Sequence, residues 1–200
     1  MNRREGISCV AGLIVAATLS GAAWTDEIER AAVTSPRDAL EALMAGNSRF
    51  VAGKPREQDF ARQIRETADG QAPYAAVLSC LDSRVPVEII FDQGIGDVFV
   101  GRVAGNIEDI HILGSFEFAK HIKGTKLLMV LGHTACGAIA GACAEARLGN
   151  LTQLLAEIAP AVRTVQERHS HMNVCEAPFV DEIAEENVLR TLDDIREKSA

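Results

Sequence analysis

The stretch Tyr74-Ala-Ala-Val-Leu-Ser79 runs directly into Cys80-Leu-Asp-Ser-Arg84. Its first six residues form a short, continuous apolar run, which is typical of a strand buried on both faces of a parallel sheet. Similar runs occur at 97–100 and 126–131, and segments with helical patterns separate them. This alternation predicts an α/β fold with a mostly parallel central β-sheet flanked by helices.

The helices are predicted from apolar spacing and from residues that start or stop a helix. The length of 200 residues suits one folded domain. Ser35-Pro36 is a suitable start for the first helix. The predicted helical segments are 36–51, 57–68, 86–91, 112–122, 136–146, 151–168 and 182–198.

Cysteine and histidine side chains follow two of the predicted strands. Cys80 follows the first, and His133 follows the third, with Cys136 three residues later. Functional sites in such sheets form at the carboxyl ends of the strands, so we expect these residues to meet. Two thiolates and one imidazole suit Zn²⁺, and three protein ligands leave a fourth position open, as in catalytic sites. We also expect a helix N-terminus to lower the pKa of the Cys136 thiol.

Asp82 and Arg84 lie within four residues of Cys80. A carboxylate beside a guanidinium stays ionised. Asp82 is therefore predicted either to accept a hydrogen bond from a group on the metal or to occupy the fourth metal position itself. An ordinary ion pair in a loop is the alternative.

The N-terminus has the pattern of an export signal. Arg3 and Arg4 precede an uncharged stretch, from Gly6 to Ala23, that ends in small residues. We predict a signal peptide at 1–23, export by the Sec or twin-arginine route, and a periplasmic protein without stable membrane association after cleavage. An uncleaved membrane anchor is the alternative, although the apolar core is short for a spanning helix.

Four cysteines follow the predicted signal peptide, and an oxidising compartment would permit disulfides. Cys80 and Cys136 are expected to be thiolate ligands instead, because His133 completes a metal set that a disulfide would not need. Cys143 lies seven residues after Cys136, on the same face of a predicted helix, so we expect it to be a small buried apolar residue. Cys175 is left without an assigned role.

Charge argues against one class of partner. The formal net charge is −8, and basic residues do not cluster or alternate with aromatic ones. Nucleic acid is therefore not expected as a partner.

These motifs resemble the β-class carbonic anhydrases, whose signature is Cys-x-Asp-x-Arg followed by His-x-x-Cys. Here the signature stands as Cys80-Leu-Asp82-Ser-Arg84 and His133-Thr-Ala-Cys136. Further similar stretches are 46–50, 99–106, 114–119 and 130–133, and the resemblance runs from about Ala39 to Asp194. The chain is thus identified as resembling a bacterial, exported member of that family.

The resemblance implies a zinc enzyme that hydrates carbon dioxide reversibly to bicarbonate and a proton, by attack of zinc-bound hydroxide. It implies one Zn²⁺ on Cys80, His133 and Cys136, with Asp82 and Arg84 as the catalytic dyad. It also implies substrate contacts from Gln71, Phe99 and Phe118.

The resemblance extends to assembly and to domain bounds. It implies a homodimer or a higher even oligomer, held by an N-terminal helical arm at 36–68. The domain is expected to cover 24–200 and to lack a C-terminal segment that the family usually carries.

Three other functions are considered. A hydrolase of carbonyl sulfide or carbon disulfide could use the same scaffold and ligands. A non-catalytic zinc-binding scaffold, or a partner subunit for a longer copy, would fit the short C-terminus. A thiol redox protein is a third alternative, although the sequence has no Cys-x-x-Cys pair.

Overall fold

A computed structural model of the protein describes residues 33–176 and 178–199. The predicted signal peptide therefore lies outside the described residues. The helices are α1 (Pro36–Val51), α2 (Phe60–Glu66), α3 (Val87–Ile90), α4 (Ile110–Glu117), α5 (Gly137–Cys143), α6 (Leu151–Arg168) and α7 (Phe179–Lys198). The strands are β1 (Ala75–Ser79), β2 (Val98–Arg102) and β3 (Leu127–Leu131), and a short 3₁₀ turn (Ala104–Asn106) follows β2.

The three strands form one parallel sheet in the order β2-β1-β3. In this register the last residue of β1, Ser79, lies beside Arg102 and Leu131. All three strands therefore end at one edge of the sheet. The predicted α/β class, with a parallel sheet flanked by helices, is confirmed.

Alternate residues of β1 contribute to two apolar layers. Ala75 and Val77 belong to the larger core, which also takes residues from α1, α3, α5 and α6. Ala76 and Leu78 belong to a second core with Phe116 of α4. Because both faces of β1 are covered, the strand is a continuous apolar run without polar alternation.

Helix α1 has the predicted bounds because its first residues form a capping box. The Ser35 hydroxyl accepts from the Asp38 N–H, and the Asp38 carboxylate accepts from the Ser35 N–H at 2.9 Å. Pro36 occupies the first helical turn, where its missing N–H costs nothing. The helix buries Ala39, Leu43 and Gly46. These contacts hold α1 against α3 and the sheet.

Gly46 packs directly on the backbone after α3. A Cβ at this position would overlap the Phe91 carbonyl oxygen, a backbone atom that cannot rotate away. We expect Gly46→Ala to lower the free energy of unfolding by about 2–4 kcal/mol. Gly70→Ala is the control, because a Cβ there meets nothing, and it should change stability by less than about 0.5 kcal/mol. Urea denaturation measures both, and equal stabilities would contradict the packing.

Several helix bounds differ from the prediction. Helix α4 begins two residues early because the Asp109 carboxylate caps the N–H groups of His111 and Ile112, and it continues into a wider π turn (Phe118–Ile122). Helix α5 is shorter than predicted, since Glu145 just beyond it takes a left-handed conformation. Helix α2 is also shorter, and α7 begins three residues early.

The expected role of Cys143 is wrong. Cys143, the last residue of α5, forms a disulfide with Cys175 in the loop between α6 and α7. The helical spacing from Cys136 could not show this bond, because Cys175 approaches from a distant loop. The disulfide ties the helix that follows the candidate metal loop to the segment that leads into α7.

Removing this disulfide should destabilise the protein. It closes a loop with a sequence separation of 32 residues, and the chain-entropy argument gives about 3–4 kcal/mol for such a loop. The double variant Cys143→Ala/Cys175→Ala should therefore unfold at lower urea concentration than the oxidised protein. Under a thiol reductant the two proteins should converge, and a persisting difference would contradict the assignment.

Across the described parts of the chain, no helix combines the length and the apolar character that crossing a membrane requires.

Candidate metal centre

Cys80, His133 and Cys136 lie together at the carboxyl edge of the sheet. Cys80 follows the last residue of β1, His133 follows β3 after Gly132, and Cys136 is the residue before α5. Their ligand atoms lie within 4.8 Å of one another, and all three side chains are buried. The parallel register brings about this meeting of residues from distant parts of the chain.

The geometry of this set fits a metal ion. The two sulfurs are 3.9 Å apart, close to the roughly 3.8 Å expected of two thiolates on one tetrahedral Zn²⁺. His133 Nδ1 lies 2.9 Å from the Thr134 carbonyl, which can only accept, so Nδ1 carries the proton and Nε2 carries the lone pair. Nε2 is buried without a hydrogen-bond partner. A bound cation would give the lone pair on Nε2 the partner that it lacks.

The two thiols have opposite pKa shifts. The hydrogen bond from Cys136, aided by backbone N–H groups, holds the pKa of Cys80 well below its usual value. The same contact raises the pKa of Cys136, because a second thiolate would lie beside the first. Backbone N–H groups at the start of α5 lower the pKa of Cys136, as expected of a helix N-terminus, but the contact with Cys80 and burial outweigh them and the net shift is upward. A cation between the sulfurs would replace the proton that they share.

Two backbone N–H groups point at the Cys80 sulfur. They belong to Gly105, at 3.3 Å, and to Asp82, at 3.5 Å. Gly105 has φ +73°, and a Cβ there would press on Ile158 of α6. Only glycine suits this position, since other residues are strained at such a φ.

Asp82 and Arg84 form a bidentate ion pair beside the ligands. Arg84 Nε donates to Asp82 Oδ1 at 2.9 Å and Nη2 donates to Oδ2 at 2.6 Å. The hydrogen bond from Arg84 is the main reason that the pKa of Asp82 is lowered. Asp82 Oδ2 lies 3.9 Å from His133 Nε2. The carboxylate thus borders the space that the three ligand atoms face.

Neighbouring residues hold both loops in place, and we did not predict this role for them from the sequence. Arg102, at the end of β2, donates to the carbonyl oxygens of Cys80 at 3.0 Å and of Asp82 at 2.5 Å. Ala135, between His133 and Cys136, accepts from Arg84 at 3.0 Å and donates to Asp181 of α7 at 3.2 Å. For Arg102, its place two residues after the predicted strand at 97–100 was an available signal.

The predicted substrate contacts do not join this cluster within one chain. Gln71 is exposed and precedes β1, whereas Cys80 follows it, and five strand residues span about 17 Å. Phe99 and Phe118 line one groove outside β2. Phe99 pairs with Ala76 near the other end of β1.

Known proteins with similar sequences are carbonic anhydrases. The family model described as "Carbonic anhydrase" matches residues 75–200. Carbonic anhydrase 2 of Mycobacterium tuberculosis is 44% identical over 135 residues, which cover 64% of this chain and 65% of the relative. A carbonic anhydrase of Pseudomonas aeruginosa is 31% identical over 141 residues, covering 66% and 63%. The chain thus spans just under two thirds of the length of these relatives.

Solved structures of the β class share the fold. A β-carbonic anhydrase of Aspergillus fumigatus superposes with a TM-score of 0.59 at 29% identity, covering 78% of this chain and 74% of that one. A tetrameric β-carbonic anhydrase of Sordaria macrospora gives 0.58 at 29% identity, covering 80% and 85%. The family model, the sequence relatives and the shared fold agree, and the chain belongs to the β-carbonic anhydrase family.

Proposed function

We propose that the protein catalyses the zinc-dependent, reversible hydration of carbon dioxide to bicarbonate and a proton. The observation that carries the proposal is the buried set of Cys80, His133 and Cys136 beside the Asp82–Arg84 pair, in a chain of this family. A zinc ion on these ligands would supply a Lewis acid and a nucleophile near neutral pH. The chain supplies the ligands, their orientation and a charged acceptor.

Asp82 has the position and charge of that acceptor. Because Arg84 keeps the pKa of Asp82 low, the carboxylate stays ionised at neutral pH and would accept a hydrogen bond from a proton-bearing group at the metal. Its bidentate contact with Arg84 fixes the direction of its oxygens. The pairing supports an open fourth metal position, since Asp82 could bind the metal only after leaving Arg84.

Stopped-flow hydration of carbon dioxide tests the proposal. The purified, zinc-loaded protein is assayed between pH 7 and 9, with carbonyl sulfide and carbon disulfide as competing substrates. Turnover of carbon dioxide well above both alternatives supports the proposal. Preferred hydrolysis of a sulfur compound would reassign the substrate, and no turnover with one bound zinc per chain would indicate a non-catalytic scaffold.

We propose that two copies pair through the edge of the sheet at β2. The groove beside β2 is largely apolar, and Ile110 and Phe118 in it are 78% and 46% exposed. An apolar groove beside an edge strand suits a second copy of the chain. Such pairing would also bring Gln71, Phe99 and Phe118 of one copy to a position where they could meet the site of another.

Sedimentation equilibrium tests the dimer. Ile110→Asp should shift the wild-type dimer toward monomer, whereas Leu148→Asp, at a residue that is 73% exposed and outside this groove, should leave it unchanged. A wild-type monomer, or equal behaviour of the two variants, would contradict this interface.

We propose that the protein is exported to the periplasm. The signal-like N-terminus and the Cys143–Cys175 disulfide support this location, because disulfides persist in oxidising compartments. Cell fractionation combined with mass measurement tests it. A mature chain beginning near Trp24 in the periplasmic fraction is expected, and a full-length cytosolic chain with free thiols would contradict it.

A further inference from the structure

Helix α7 supplies no metal ligand, yet it contacts the segment after β3 that carries His133 and the turn after β2 whose Gly105 N–H points at the Cys80 sulfur. Asn187 is 2% exposed, and its Nδ2 donates to the Gly105 carbonyl at 2.7 Å, across 82 residues of sequence. Val188 beside it lies so close to Gly132 that a Cβ on that glycine would be 2.6 Å from Val188 Cγ2. The packing therefore fixes α7 against the end of β3, next to His133.

The Gly105 contact leads directly to a ligand. Its carbonyl accepts from Asn187, and its N–H, on the other side of the same Cα, donates to Cys80 Sγ at 3.3 Å. Glycine is the only residue that fits this position, and it is also the residue with the greatest backbone freedom. An anchor outside the loop is needed to hold its N–H toward the sulfur.

We propose that Asn187 is a positioning residue for the metal centre: by holding the Gly105 carbonyl, it keeps the Gly105 N–H on the Cys80 sulfur. The inference rests on the proposed zinc site. A hydrogen bond to a thiolate draws charge from the sulfur and fixes its direction, so Asn187 influences the metal through Gly105 without touching it.

The burial of the Gly105 carbonyl supports this role for Asn187. The Gly105 carbonyl is enclosed with Asn187, and a buried carbonyl without a donor is costly. Without the Asn187 amide the buried carbonyl lacks a donor, so the turn at Gly105 is expected to shift until this carbonyl reaches water. The carbonyl and the N–H of Gly105 belong to adjacent peptide planes that meet at one Cα, so a shift of that Cα would also move the N–H away from Cys80.

The test compares Asn187→Leu with Ile195→Ala in the full-length protein. Leucine branches at the same carbon as asparagine but lacks the donor, and Ile195 is a buried residue of the same helix about two turns after Asn187. Zinc affinity is measured by competition with a chromophoric chelator. Loss of a residue that holds a metal ligand typically lowers affinity 10–100-fold, and we expect a change of this order for Asn187→Leu alone.

Cobalt substitution gives the second measurement. Co²⁺ bound to thiolates shows a sulfur-to-metal charge-transfer band. Without the N–H bond the sulfur lone pairs rise in energy, so the band should move to longer wavelength in Asn187→Leu and stay in place in Ile195→Ala. Simple destabilisation of the fold would not move this band.

The outcomes separate the inference from the function on which it rests. Wild-type protein that binds neither Zn²⁺ nor Co²⁺ would remove the proposed metal site itself. Metal-binding wild type with an unchanged affinity and band in Asn187→Leu would overturn the positioning role, as would equal losses in both variants. If Asn187→Leu does not fold, Asn187→Ser, which leaves space for a water, takes its place in the same comparison.

Discussion

Replacing Cys80 with Ser is expected to reduce bound zinc from one ion per chain to less than about a tenth, and carbon dioxide hydration with it. A serine hydroxyl is far less acidic than a thiol, so it does not supply the anionic sulfur that zinc prefers. His133→Ala should have the same result, because it removes the only nitrogen ligand. Elemental analysis after dialysis measures the zinc content.

The control for these variants is the double variant Cys143→Ala/Cys175→Ala. It removes two cysteines but leaves the three ligand atoms together. It should keep one zinc per chain even though the protein is less stable. Normal zinc content in Cys80→Ser would show that the ligand set is wrong.

Asp82→Asn is expected to keep zinc and to lose at least about 100-fold in turnover, the usual order for a group that accepts a proton or a hydrogen bond at the reacting atoms. The amide has nearly the same shape as the carboxylate, so the ligands stay in place. It carries no charge, however, and its NH₂ group cannot accept. The bidentate contact with Arg84 is lost as well. Stopped-flow turnover and zinc content are measured on the same sample.

Glu88→Gln is the matched control for Asp82→Asn, since it neutralises a carboxylate on the exposed side of α3. It should leave turnover unchanged. Full activity in Asp82→Asn would remove Asp82 from the mechanism.

The direction of the pKa shift at Asp82 also limits which groups can make the turnover or the stability depend on pH. Its folded pKa lies below the ordinary value of 3.8. The ion pair therefore stabilises the fold at any pH above that value, and the contribution is lost only as the pH falls through the lower, folded pKa. Between pH 7 and 9 the charge of Asp82 is constant, so a change of turnover in that range must come from another group.

The strands show how far sequence reasoning extends. Strands β1 and β3 were predicted to within one residue, because a strand buried on both faces is a continuous apolar run that ends abruptly at a polar motif. The end of β2 was missed by two residues. Gly101 and Arg102 do not resemble strand residues, and only their pairing with Leu78 and Ser79 keeps them extended.

The candidate site likewise has one part that the sequence predicts and another part that it does not. The meeting of Cys80 with His133 follows from a general rule, that parallel strands end at one edge of a sheet. The contacts of Asn187 with Gly105 and of Cys143 with Cys175 follow no local pattern, because they depend on how α7 and its preceding loop pack against the rest of the chain. Periodicity describes which face of an element is buried, but not which distant backbone group it will meet.

Because α7 lies near the end of the given sequence, its contacts with the metal site form late during protein synthesis. The ribosome releases Cys80, His133 and Cys136 first, and Asn187 leaves it about fifty residues after the last ligand. At about 5–20 residues per second, this interval lasts roughly 3–10 s. During that time a nascent chain already has every ligand but neither the Asp181 nor the Asn187 contact that braces them. The metal ligands are therefore available during synthesis several seconds before the α7 contacts that hold them in place.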